Sequence, residues 1–70
     1  MSLAERLRQL SSEKGLTQAD ISRRSGLSTV VVAYLFTGRT KDPRISTLLA
    51  LCQAFDMTPM QLLDGVEIED

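Results

Sequence analysis

The sequence predicts an all-α fold, five short helices packed as an orthogonal bundle. Three observations predict it. Cap residues followed three positions later by Glu, Asp or Gln recur at Ser2/Glu5, Thr17/Asp20 and Thr58/Gln61, and each opens an apolar pattern of helical period. Glycines stand where those helices should stop, at Gly15, Gly26, Gly38 and Gly65. Seventy residues with a single cysteine leave room for one small domain, near the lower end of what folds without disulfides or metal.

Taken in order, the first helix follows Ser2, lines one face with Leu3, Leu7 and Leu10, and ends at Gly15. Lys14 suits the negative end of its dipole. Leu16 and Ile21 form a hydrophobic staple around the Thr17 cap, which fixes the entry angle of the second helix. That helix runs from Gln18 to Ser25, with Ala19 and Ile21 expected inward and Arg23 and Arg24 outward. Only glycine takes the left-handed conformation at Gly26 without a Cβ penalty. Ser28 then caps a third helix at once, stapled by Leu27 and Val32 and running from Thr29 to Thr37. Helix, glycine turn, helix is the sequence shape of a helix-turn-helix.

The connection GRTKDPR holds Asp42-Pro43, which blocks helix until after the proline. A fourth helix covers Ile45 to Phe55, with Ile45, Leu48, Leu49, Cys52 and Phe55 as its expected apolar stripe. The fifth opens at Thr58-Pro59, proline at the first helical position, is stapled by Met57 and Leu62, and stops at Gly65. Residues 1–65 are expected to form the domain and residues 66–70 an acidic tail. In that tail Val66-Glu67-Ile68-Glu69 alternates, which suits either a strand paired with a twofold mate or a frayed end.

Composition narrows the function. The chain has no histidine, so the usual neutral-pH acid/base and the commonest metal ligand are missing. No nucleophile motif or paired carboxylates suggest catalysis, and neither cofactor nor small-molecule ligand is implied. No apolar run is long enough to span a bilayer and no signal pattern opens the chain, so a soluble, cytoplasmic domain is expected. The lone Cys52 falls on the apolar stripe and reads as a core thiol.

The net charge of −1 hides a division along the chain. Residues 17–44 carry Arg23, Arg24, Arg39, Lys41 and Arg44 against Asp20 and Asp42, a net +3. Residues 45–70 carry five carboxylates and no Lys or Arg, a net −5. Phosphate binding depends on where positive charge sits, so the local charge favours DNA where the total does not. On the third helix, Val31, Val32, Leu35 and Phe36 share the face expected inward. Thr29, Val30, Ala33 and Tyr34 share the other; Val30 and Ala33 suit thymine methyls, and Thr29 and Tyr34 suit phosphates or base edges. The alternative, a wholly buried helix, would need more chain than is here to cover both faces.

The run LTQADISRRSGLSTVVVAYLFTGRTKDPR, then a leucine-rich helix, then DMTPMQLLDG, resembles the Cro/repressor (Xre-type, lambda-repressor-like) helix-turn-helix family over residues 3–65. The resemblance implies a transcriptional regulator binding double-stranded DNA, with the third helix in the major groove and a homodimer on a palindromic operator. It implies that Gln18 holds a phosphate while bracing the third helix, with Thr17 and Ser28 at the two helix starts beside DNA. Arg39, Lys41 and Arg44 become phosphate clamps, or simply charges on a solvated loop. The dimer is expected through the C-terminal third, at Leu51, Met57, Met60, Leu62, Leu63 and Val66, which exceed what one core stripe needs.

Departures from the family's pattern are specific. Ser11 and Phe36 stand where the family commonly has a paired Arg and Glu, which suggests an apolar replacement with Phe36 packed under the first helix. Ser22 and Ser25 stand where alanine and an aliphatic residue are preferred, which questions the rigidity of the motif. The missing bidentate base readers leave a second function open, a protein-interaction module such as the antitoxin of a toxin–antitoxin pair.

Overall fold

The structure, a computed structural model, describes residues 1–67. Among them it forms five helices and no strand: α1 (Leu3–Lys14), α2 (Gln18–Ser25), α3 (Thr29–Thr37), α4 (Ile45–Phe55) and α5 (Pro59–Leu62). The capping boxes at Ser2/Glu5, Thr17/Asp20 and Thr58/Gln61 each make both reciprocal bonds. Gly15, Gly26 and Gly38 close α1, α2 and α3 with positive φ. Helix α4 ends at Phe55 as expected, and one ending, that of α5, differs from expectation. Asp56, not a glycine, closes α4 in the left-handed conformation (φ 55), its following amide at Met57 donating to the Cys52 carbonyl at 2.9 Å. Helix α5 stops at Leu62, and Leu63–Gly65 continue as a turn.

Helix α1 packs on α3, and α2 packs on both α3 and α4, with α5 folded against α4. The core they enclose holds Leu3, Leu7, Leu10, Ile21, Val32, Leu35, Phe36, Leu51, Cys52, Ala54, Phe55 and Leu62. Four expected inward positions are corrected. Ala19 is exposed, because Ile21 alone anchors α2 to the core. Val31 is on the surface, one step round α3 from buried Val32 and Leu35. Ile45 and Leu49 are 76% and 53% exposed, because α4 turns its Leu51, Cys52, Ala54 and Phe55 side inward instead.

That rotation also corrects the expected interface. Leu51 and Leu62 are fully buried in the monomer's own core and cannot face a second molecule. Met57 and Val66 are half-buried against the core, while Met60 and Leu63 stay exposed. The packed unit runs on past Gly65. Beyond the Val66 contact, the Glu67 amide donates to the Met1 carbonyl and the Met1 ammonium to the Gly65 carbonyl, at 2.9 and 3.0 Å. The expected alternation at Ile68 and Glu69 lies outside the described residues. No described helix is long and apolar enough to cross a membrane, and no described cluster of Cys, Asp or Glu could hold a metal ion.

Candidate nucleic-acid interface

The turn between α2 and α3 sets the position of the outward face, and serines hold it. Ser22 Oγ donates to the Leu27 carbonyl at 2.5 Å, Ser25 Oγ accepts the Leu27 amide at 3.1 Å, and Ser28 Oγ accepts the Val31 amide at 3.2 Å. The two serines that depart from the family's pattern therefore lock the turn. Ser11 Oγ makes the same bond to the Leu16 carbonyl between α1 and α2. Asp20 accepts the Thr17 amide, which with the Thr17 hydroxyl holds its carboxyl below the usual range. It also pairs with Arg23, so Arg23 spends its charge on the helix surface.

Helix α3 carries its burial on one side. Val32, Leu35 and Phe36 are inside; Thr29, Val30, Val31 and Tyr34 are outside, and Ala33 is half-buried at the edge. Val30 is 56% exposed in the first turn, the part of such a helix that approaches base edges. Four residues on, Tyr34 is 37% exposed and carries the Arg39 guanidinium over its ring, 4.7 Å from the centroid. The connection after α3 is tied back to that point, since the Thr40 amide donates to the Tyr34 carbonyl at 3.2 Å. Arg39, Lys41 and Arg44 are all exposed along this segment.

Thr17, Gln18, Ser28 and Thr29 are exposed at the two helix starts. Gln18 lines a shallow groove with Arg8, Ser12, Phe36 and Thr37, which places it beside the C-terminal end of α3. Sequence reasoning misses Arg8 in that groove. Its guanidinium donates to the Phe36 carbonyl at 2.5 Å, tying the last turn of α3 to α1. Phe36 itself is buried, as the apolar replacement for a buried charge requires. A charged side chain reaching a backbone carbonyl 28 positions away leaves no local sequence signal.

Residues 6–67 match the family described as Cro/C1-type HTH DNA-binding domain. Among similar proteins, the HTH-type transcriptional regulator DdrOP3 of Deinococcus deserti is 40% identical over 67 residues, 96% of this chain and 51% of its own length. The uncharacterized HTH-type transcriptional regulator y4dJ of Sinorhizobium fredii is 38% identical over 79% of this chain and 70% of its own. Putative protein P2 of Acyrthosiphon pisum secondary endosymbiont phage 1 is 45% identical over 54% of this chain and 40% of its own. The chain thus spans about half or less of two of these relatives. Capped helices, a serine-locked glycine turn and a matched span of residues 6–67 agree, and the chain belongs to the Cro/C1-type helix-turn-helix DNA-binding domain family.

Proposed function

We propose that the chain is a sequence-specific transcriptional regulator, a repressor that occupies a palindromic operator as a homodimer in the cytoplasm. The observation that carries this reading is the placement of Val30 and Tyr34 on the outward face of α3, with Arg39, Lys41 and Arg44 on the segment that follows. Base contacts would come from the helix and phosphate contacts from the flanking cations, the division of labour expected of this motif. Thr17, Gln18, Ser28, Thr29 and Ala33 complete the proposed contact surface. The acidic end, with Asp56, Asp64 and Glu67, would point away from the phosphates.

Gel shifts against genomic fragments at two salt concentrations test this. Binding to a subset of fragments, weakening steeply with salt, is the expected result. Equal, weak retention of every fragment would overturn it. A second reading, a protein-interaction module, is favoured by the exposed Val30 and Val31 on a helix without charged or amide side chains.

A further inference from the structure

The nine residues of α3, TVVVAYLFT, include no Arg, Lys, Asn, Gln, Asp or Glu. No side chain on this helix can make the paired hydrogen bonds by which guanine or adenine edges are usually selected. Two of the nearby hydroxyls are already engaged: Ser28 Oγ holds the Val31 amide, and Thr37 Oγ1 donates to the Tyr34 carbonyl at 3.3 Å. The outward surface is instead branched and apolar, with Val30 and Val31 both exposed and the methyl of Ala33 at its edge. In the major groove the one apolar group that a natural base pair offers is the C5 methyl of thymine. Guanine and cytosine edges carry donors and acceptors that valine would desolvate without pairing, which costs free energy.

From this we infer that Val30 and Val31 select C5-methylated pyrimidines, reading thymine by its methyl group and accepting 5-methylcytosine at the same position. The inference rests on α3 reading DNA. It adds that the choice is made by a methyl group, positively through burial and negatively through the unpaired edges of the other bases. Tyr34 and Arg39, stacked together at the far end of the face, take no part in this methyl discrimination.

The test begins by enriching duplexes from a random library with the full chain. In an enriched duplex each thymine is replaced singly by uracil, which removes only the methyl. At one or more thymines per half-site, uracil should weaken binding about fourfold, the worth of one buried methyl. At that position a 5-methylcytosine–guanine pair should bind tighter than cytosine–guanine by a similar factor. Val30→Ala or Val31→Ala, both at exposed positions, should shrink the uracil penalty at that thymine. Uracil tolerated at every thymine would overturn the inference while leaving sequence-specific binding intact. So would a penalty that neither valine variant alters. A library that yields no enriched sequence would remove the DNA reading itself, and this inference with it.

Discussion

Ser22 Oγ donates to the Leu27 carbonyl at 2.5 Å across the glycine turn, and Ser11 repeats the bond to Leu16 eleven residues earlier in the chain. Each serine sits four residues before a glycine and five before a leucine, in SSEKGL and SRRSGL. The hydroxyl satisfies a part-buried carbonyl that the left-handed glycine turns away from the helix ladder. Ser22→Ala should therefore destabilise the chain by about 1–3 kcal/mol, the cost of leaving such an acceptor unpaired. Urea unfolding measures this. No change in midpoint would show that water replaces the hydroxyl.

Phe36→Ala should cost more, about 3–5 kcal/mol, because it empties a site enclosed by α1 and α3. That is a large share of the total stability of a small domain. Arg8 would keep its bond to the residue-36 carbonyl, so α3 should stay docked in the fraction that folds. Thermal unfolding with helical circular dichroism reads both. A variant that melts with the parent would place the ring outside the core.

Caps and stops were legible because they are local. Ser2, Thr17, Ser28 and Thr58 each bond an amide three residues on, and the glycines need no partner elsewhere to end a helix. Facing was less legible where a helix is apolar nearly all round. Helix α4 offers Ile45, Leu48, Leu49, Leu51, Cys52, Ala54 and Phe55, and two rotations satisfy a helical period almost equally. Contact with α2 and α5 selects the one that buries Leu51 and Ala54 and leaves Ile45 and Leu49 outside. The same ambiguity moved Val31 to the surface of α3. Arg8 on the Phe36 carbonyl, and Arg6 on the Leu62 and Gln61 carbonyls at 3.0 and 2.7 Å, depend on the assembled fold and had no local signature.

The capping carboxylates predict an acid limit. Bonds from the Ser2 amide and hydroxyl lower Glu5 from its ordinary 4.5, and bonds from the Thr17 amide and hydroxyl lower Asp20 from 3.8. Carboxyls lowered in the folded state stabilise it fully above their ordinary values, and the contribution is lost as pH falls through the lowered folded values. The melting temperature should thus fall as pH drops through and below the ordinary carboxylate range. Removing both acceptors, as Glu5→Gln with Asp20→Asn, should flatten that fall. A double variant with the parent's acid profile would assign the limit to other groups.

On DNA, Arg39→Ala, Lys41→Ala and Arg44→Ala combined should weaken specific and random duplexes alike. The slope of log affinity against log salt should become shallower by about 0.9 for each phosphate no longer neutralised. An unchanged slope removes the segment from the interface. Tyr34→Phe keeps the ring under Arg39 and should be tolerated, whereas Tyr34→Ala frees the guanidinium and should weaken specific binding selectively. Equal loss on specific and random DNA would deny Tyr34 a part in specificity.

The last prediction places the twofold contact. Arg6 clamps the end of α5 to α1 by its two carbonyls, and Leu62 anchors the same turn in the core. Four residues so short could not hold a helix alone. Fixed in this way they present Met60, 86% exposed, and Leu63 beside it as rigid apolar knobs. The exposed Ile45 and Leu49 lie on α4, whose first residue follows the cationic segment directly, and that end is wanted next to DNA. Two copies joined through Met60 and Leu63 could set their α3 helices at half-sites about 34 Å apart. Met60→Glu with Leu63→Glu adds like charges across such a contact, where Asp64 and Glu67 already stand. The variant should sediment as a monomer and bind a two-half-site operator at least about tenfold more weakly, some 1.4 kcal/mol, while its stability stays near the parent's. Ile45→Ser with Leu49→Ser should leave the dimer intact. The opposite outcome, a dimer lost with Ile45 and Leu49 but kept with Met60 and Leu63 altered, would move the interface to α4.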